Sequence, residues 1–171
     1  MAIGELIDLM KREGSRLAKP VPIEGMPDMA FDCTFADTGE SELVVPDSIP
    51  AYPSDLVDFW RIARTARLFE DKSYGQWGLE ILDPTSAIMA TGRLRDRRFR
   101  DYVSGDLVIG RFLGDSDLLV IRCDPSCSDF GNVLVAPPID PRHEWYKVAE
   151  SLTAFLDLFI KAGGDKLWAA T

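Results

Sequence analysis

The most continuous apolar pattern in the chain lies in its second half, where three hydrophobic runs follow one another. Two of them, Asp106–Leu113 and Asp117–Cys123, are separated by the short polar stretch Gly114–Ser116. Runs rich in Val, Ile and Leu and bounded by Gly, Asp and Ser are typical of β-strands joined by a tight turn. The third run, Asn132–Ala136, stops at two prolines, which cannot donate to a strand ladder. The pattern predicts a three-stranded antiparallel meander covered by helices, because the runs are too apolar for a sheet wet on both faces.

Before the meander, apolar residues recur in three segments with the period of a helix that buries one face. In the first two segments these residues are Ile3, Leu6, Ile7 and Met10, and then Leu56, Phe59, Trp60 and Ala63. The second helix is expected to begin with Ser54 as its N-cap, and the third with Asp83 as N-cap and Pro84 at the first helical position. In the third helix we expect Ile88 and Met89 to face inward.

The intervening parts of the chain give weaker signals. Trp77–Leu82 alternates apolar and polar residues as a half-buried strand does, and we expect a polar turn at Glu70–Gln76 just before it. Residues 20–52 contain many prolines and glycines. We therefore expect mainly ordered loop there, with short edge strands at Met29–Phe35 and Glu42–Val45.

A last helix is predicted from about Tyr146 to Ala162, where a pair of glycines ends it. The order of elements is thus helix, loop, helix, strand, helix, three strands, helix. Because antiparallel strands are segregated from the helices, the predicted class is α+β, an antiparallel twisted sheet of about four to six strands covered by helices. We expect a single domain over residues 1–171, in which residues 1–48 form an N-terminal helix and loop extension.

The charge balance bears on the class of partner. The 171 residues carry a net charge of −9, and the pI is near 4.6. Nucleic acid is not expected as a direct ligand, because phosphate binding needs concentrated Lys and Arg. An acidic surface would accelerate the approach of a basic protein, or would serve only to keep the chain in solution. The exception is the basic run Arg93–Arg100, which either complements the C-terminal end of a helix dipole or forms a contact patch for an acidic partner.

Catalytic and metal-binding patterns are weak. The single histidine, His143, has no nucleophile motif beside it. We therefore expect this histidine to lie at the surface, and we do not expect the protein to be an enzyme. Cys33, Cys123 and Cys127 could complete a zinc set with this histidine. Their sequence contexts do not match such a site, however, and a buried thiol is expected simply as part of the core. We expect neither a metal nor a cofactor.

The expected location is the cytoplasm. Three cysteines are an odd number, which disfavours a disulfide framework. The chain begins directly with an amphipathic helix and lacks the pattern of a signal peptide. We expect no membrane contact, because no apolar run approaches the ~20 residues of a membrane span.

Five segments follow one another in an order that is typical of one family. They are Ile49–Trp60, Tyr74–Leu82, Val108–Ile121, Gly131–Val135 and Ser151–Ile160. With this series the chain resembles the SUKH superfamily, also called the SMI/KNR family, over roughly Ile49–Lys161. In that family a proline-started helix precedes an edge strand, and an apolar strand, a Gly-Asp turn and a second apolar strand follow. The resemblance implies an α+β fold and, in bacterial members, an immunity protein that neutralises a toxin, often a nuclease.

The first hypothesis is thus a non-enzymatic protein of SUKH type whose acidic face occludes the active site of a basic toxin domain. The resemblance brings no catalytic residues with it. The alternative is a regulatory or adaptor scaffold without a toxin partner. Eukaryotic members of the family look like proteins of this kind. An enzyme that uses a carboxylate pair or a small metal site is the third hypothesis. From charge and expected exposure, the candidate partner-binding residues are Asp37, Glu40, Glu42, Asp115 and Asp117.

Overall fold

The computed structural model describes residues 1–18, 30–36, 38 and 42–170, and all element bounds refer to these residues. The helices are α1 (Ile3–Leu17), α2 (Ser54–Ile62), α3 (Pro84–Arg97) and α4 (Leu152–Lys161). The strands are β1 (Phe31–Phe35), β2 (Ala66–Asp71), β3 (Leu79–Ile81), β4 (Asp106–Phe112), β5 (Leu118–Arg122), β6 (Val133–Ala136) and β7 (Tyr146–Ala149). They form an antiparallel sheet in the order β1 to β7, so that each strand pairs with its neighbours in sequence.

The α+β class, the antiparallel sheet and the meander β4–β5–β6 are confirmed. The expected four to six strands is too low, since the described residues form seven. One missed strand is β2, which runs on to Asp71. The charged Glu70 does not mark a turn, because it pairs with Asp32 of β1 and its carboxylate forms ion pairs with Arg67 and Lys72. Glu42–Val45, expected to be an edge strand, lies outside any strand.

The other missed strand is β7, where a helix was predicted to begin at about Tyr146. Residues Tyr146–Ala149 pair with β6, and the helix starts only after Ser151. The Ser151 hydroxyl accepts a hydrogen bond from the Ala154 N–H at 3.1 Å, which satisfies one of the free donors of the first turn. The error arose because the short run before the cap has an apolar spacing that either a strand or a helix can use.

The two predicted N-caps have different outcomes. Asp83 caps α3 as predicted, because its carboxylate accepts from the Ser86 N–H at 3.0 Å. Ser54 is wrong as an N-cap, since it is the first helical residue of α2 and no side-chain cap bond forms there. Met89 on α3 is also wrong as an inward residue, because it is 56% exposed, and Ala87 is buried instead.

The two faces of the sheet are covered unequally. Helices α1, α2 and α4 pack on one face, which we call the inner face, and form the main core with side chains such as Phe59 and Trp60. Both rings are fully buried, and the Trp60 indole N–H donates to the Leu82 carbonyl at 2.8 Å. Helix α3 packs on the opposite, outer face over a small cluster that includes Val108 and Val120. Beside α3, the outer face of β2 and β3 carries charged side chains.

A buried ion network fixes the loops around α3 and β4. The Asp106 carboxylate is fully buried and lies 2.7 Å from Arg122 Nη1 and 2.5 Å from Arg142 Nη1. It also accepts from the Val103 N–H at 2.8 Å. Arg122 reaches a second carboxylate, that of Asp129, at 2.8 Å. Because each buried charge has an opposite charge and hydrogen bonds, the network holds three connecting segments against the end of the sheet.

Candidate functional site

A large cleft of about 850 Å³ lies between α3 and the outer face of strands β1 to β4. Its lining combines apolar side chains with six ionised ones. The ionised residues are Arg67, Glu80, Asp83, Arg93, Arg97 and Arg111. Four arginines against two carboxylates leave an excess of positive charge in a chain whose total charge is −9. The cleft is therefore an electropositive concavity on an acidic protein.

The floor of the cleft is a row of residues paired directly across the strands. The pairing runs from Thr34 to Arg67, Glu80, Arg111 and Leu118. Residues directly opposite one another in an antiparallel sheet share a face, so the whole row lies on the outer face. Glu80 stands between the two arginines, 3.3 Å from Arg67 Nη2 and hydrogen-bonded by Arg111 Nε. The central carboxylate thus holds two guanidinium groups side by side on the sheet.

The wall of the cleft is one face of α3. Ser86, Ala90, Arg93 and Arg97 recur at helical spacing along this face. The side chains of Arg93 and Arg97 are exposed, and neither forms an ion pair with any of the described residues. These two guanidinium groups are therefore available to an incoming anion.

The basic run of α3 divides into residues with different roles. Arg95 donates to the Asp106 carbonyl at 3.0 Å, and Arg98 donates to the Pro138 carbonyl at 2.7 Å. Arg95 and Arg98 hold neighbouring loops, whereas Arg93 and Arg97 face the cleft. From the sequence, a helix-dipole role and a contact patch were alternatives for the whole basic run. In the structure the arginines of the run differ in their surroundings, since some contact neighbouring loops and others line the cleft.

The carboxylates of the cleft are already engaged. Burial raises the pKa of the Asp83 carboxyl, but hydrogen bonds from the Ser86 hydroxyl at 2.6 Å and the Ser86 N–H outweigh it, so this pKa is lowered. Glu80 is held by the two arginines of the floor. A carboxylate that accepts such bonds is a poor general base, because its ionised form is already stabilised. The arrangement suits recognition of an anion better than proton transfer.

The hairpin tip brings two of the five candidate partner-binding residues together. The Asp115 carboxylate accepts from the Asp117 N–H at 3.2 Å, which closes the turn. Asp115 also forms an ion pair with Lys166, whose ammonium lies 5.3 Å from the Trp77 ring centroid and 5.0 Å from that of Phe112. Burial, with a smaller effect of the Asp115 charge, raises the pKa of Asp117. The acidic tip is thus partly neutralised within the molecule.

Of the other three candidates, Glu42 is exposed and lies in the segment before α2, outside any helix or strand. Asp37 and Glu40 lie outside the described residues. Sequence reasoning missed Glu80, Arg67 and Arg111, which form the floor of the cleft. The signal that could have found Glu80 is its position between the buried Leu79 and Ile81, where alternation places it on the polar face.

The residues weighed for zinc or catalysis are separated in the fold. Cys33 and Cys123 are buried, and burial raises the pKa of their thiols to about 11 and about 12. Cys127 is exposed, and so is His143, whose ring lies 3.6 Å from the Glu144 carboxylate. Among the residues that the structure describes, no group of three His, Cys, Asp or Glu side chains lies close enough to hold a metal ion.

A second, smaller cavity of about 480 Å³ lies beside the edge strand β7. Aromatic and aliphatic side chains dominate its lining, among them Trp145, Tyr146, Leu158, Leu167 and Trp168. The Trp145 ring centroid lies 4.9 Å from that of Tyr102, and the Trp168 centroid 4.9 Å from that of Phe112. Both tryptophans thus pack on neighbouring rings, and charged side chains converge in the larger cleft instead.

Comparison of the chain with protein-family models, with curated proteins and with solved structures finds no match. None of the helices in the described part of the chain combines the length and apolar character that crossing a bilayer requires.

Proposed function

We propose that this chain is a non-enzymatic binding protein of the cytoplasm, an immunity protein of the SUKH (SMI/KNR) type that neutralises a cognate toxin domain by occluding its active site. A nuclease is the favoured class of toxin. The observation that carries the proposal is the separation of charge. The cleft has four arginines and two carboxylates. The residues outside the cleft therefore carry a net charge that is more negative than the total of −9. An acidic surface of this kind attracts a basic active-site cleft, speeds encounter and excludes the toxin's substrate.

Two further features support recognition without chemistry. The cleft carboxylates are occupied by arginines and by a helix cap, which leaves them poorly suited to take up a proton. The sole histidine is exposed and lies away from the cleft lining. The family resemblance along Ile49–Lys161 points to the same class of function.

The experiment is capture of the partner from the native host on the immobilised chain, followed by kinetics with the purified partner. We expect a basic toxin domain whose activity the chain abolishes at equal stoichiometry. We expect its association rate to fall by roughly tenfold or more from low to high salt, because electrostatic steering is screened. A rate that is independent of salt, or a partner that the chain chemically converts, would contradict the proposal.

The second candidate is a regulatory or adaptor scaffold without a toxin, and the exposed arginines of the cleft favour it. A charge reversal on the acidic surface separates the candidates. Glu42→Lys weakens binding to a basic toxin and leaves binding to an acidic scaffold partner unchanged or stronger. Binding of the captured partner to this variant, together with an assay of whether the chain abolishes a toxic activity of that partner, decides between them.

A further inference from the structure

The two exposed arginines of α3 have a spacing that matches an extended acidic peptide. Arg93 and Arg97 are four residues apart, which places them about 6 Å apart along the helix axis. Alternate residues of an extended chain point to the same side and lie ~6.6 Å apart. Each guanidinium group can hold a carboxylate through two parallel hydrogen bonds. Two carboxylates at alternate positions of an extended segment would therefore meet both arginines at once.

The dimensions and the remaining lining fit the same kind of ligand. The wall from Ser86 to Arg97 is ~16 Å long, which corresponds to about five extended residues. Leu94 of α3 and Leu118 of the floor contribute apolar surface to the same cleft. A segment that alternates acidic and apolar residues thus finds guanidinium groups for one set of side chains and aliphatic contacts for the other.

The same lining disfavours a nucleic acid. A phosphodiester chain needs a continuous basic track, whereas Glu80 and Asp83 interrupt the arginines of this cleft. The acidity of the whole chain would repel a polyanion from the surrounding surface. A short acidic segment of a protein partner carries its charge locally, and the rest of such a partner can be basic.

We propose that the cleft binds an extended acidic segment of the partner protein, with carboxylates at alternate positions held by Arg93 and Arg97. This inference rests on the proposed function only in assuming that the chain is a binding protein. The cleft then supplies a second contact, of opposite sign to the acidic surface. When positive and negative patches on one protein both meet opposite charges on its partner, the relative orientation of the two proteins is fixed. Partners with a different charge pattern then bind more weakly.

The probe is the peptide acetyl-Thr-Glu-Val-Glu-Val-Thr-amide, titrated into the full chain and followed by NMR of the backbone amides. We expect saturable shifts along α3 and at Glu80, which weaken as salt rises. The matched peptide with Gln in place of Glu is expected to bind about tenfold or more weakly, because it loses the charge-assisted bonds. Equal binding of the two peptides, or no binding of the acidic one, would overturn the inference.

The variant test uses two pairs of arginines with the same spacing. Arg93→Glu with Arg97→Glu is expected to abolish peptide binding. Arg12→Glu with Arg16→Glu, on an exposed face of α1, is expected to leave the affinity unchanged within about twofold. Arg93→Gln with Arg97→Gln repeats the test without a charge reversal, should the first variant fold poorly. Loss of binding in the α1 variant alone would place the site elsewhere and overturn the assignment.

Two further measurements separate this inference from the proposed function. A single-stranded oligonucleotide that shifts the α3 amides when the peptide does not would overturn the peptide assignment in favour of nucleic acid. If the peptide fails but a toxin is captured and neutralised, only the acidic-segment inference fails. If the peptide binds the cleft but the captured partner is a substrate that the chain converts, the inference about the cleft holds and the proposed function fails.

Discussion

The inner and outer faces of the sheet use the same strands for different purposes. On β3, Leu79 is fully buried against the helices of the inner face, and the next residue, Glu80, lies between two arginines on the outer face. The inner face is apolar and covered by three helices, whereas α3 covers only part of the outer face and leaves a charged cleft beside it. The apolar core and the proposed recognition surface are thus separated by the pleat of the strand and not by position along the chain.

This separation explains why the cleft can stay open. A half-covered sheet must present polar side chains to water where no helix lies over it. Here those side chains are Arg67, Glu80 and Arg111, whose mutual ion pairs keep them arranged on the sheet. Changes in the outer row should therefore alter binding far more than folding, and changes in the inner row should do the reverse.

The largest expected effect on stability comes from the ion network that fixes the outer layer. Asp106→Ala leaves Arg142 without its buried carboxylate and removes one of the two that Arg122 contacts. We expect the free energy of unfolding to fall by about 3–5 kcal/mol in urea titrations, since an uncompensated buried charge is costly. The control is Asp129→Ala, whose side chain is 41% exposed and which should lose only about 1 kcal/mol. Equal losses would show that the network is not the anchor of this layer.

The next prediction compares the two faces of β3 directly. Leu79→Ala should lower the free energy of unfolding by about 2–5 kcal/mol, because it opens a cavity in the main core. Glu80→Gln, one residue along the strand, should change it by no more than about 1 kcal/mol. Urea titrations of both variants provide the measurement. If Glu80→Gln lowered the free energy of unfolding as much as Leu79→Ala, the expectation that the inner face contributes more to stability than the outer face would be contradicted.

A smaller effect distinguishes the first helix turns on the two faces. Asp83→Ala should destabilise the protein by about 1 kcal/mol, since it removes the cap of α3. Ser54→Ala is the matched control on α2, where no side-chain cap bond exists, and should have an effect within about 0.5 kcal/mol. Thermal or urea unfolding can resolve the difference. The reverse ranking would mean that the two helix starts have been assigned wrongly.

The smallest predicted effect concerns acid stability at the outer face. The hydrogen bond from Lys72 at 2.7 Å and the ion pair with Arg67 lower the pKa of Glu70 despite its burial. Because its pKa is lower in the folded protein, Glu70 stabilises the fold above the ordinary carboxyl pKa of about 4 and ceases to do so as the pH falls through its lowered pKa. Glu70→Gln should therefore flatten the loss of stability between neutral and acid pH by less than about 1 kcal/mol. An unchanged pH dependence would show that this carboxylate contributes nothing.

The inner and outer faces of the sheet also differ in how much of their structure could be predicted from the sequence. The inner-face residues of α1, α2 and the meander were identified because burial imposes a period on the chain. The cap at Asp83 was identified from local chemistry. Strands β2 and β7 required knowledge of pairing, since Tyr146–Ala149 becomes a strand only because β6 lies beside it.

The cleft was beyond sequence reasoning for a physical reason. Its floor joins Thr34, Arg67, Glu80 and Arg111, which belong to four different strands and become neighbours only through the register of the sheet. Charged residues on a strand signal an exposed face, but nothing in their order says which arginine will stand beside which carboxylate. The separate surroundings of Arg93 and Arg95 within a single basic run likewise depend on how α3 is rotated on the sheet.

The most direct test of the account is hydrogen exchange of the chain alone and in complex with its captured partner. Recognition through the outer face predicts slower exchange along α3 and β3 in the complex. The same comparison with the variant Arg93→Glu, Arg97→Glu should show that this protection is lost while the inner-face helices α1 and α4 exchange as before. Protection confined to α1 and α4, with α3 unchanged by the partner, would contradict the claim that the charged outer face is the recognition surface.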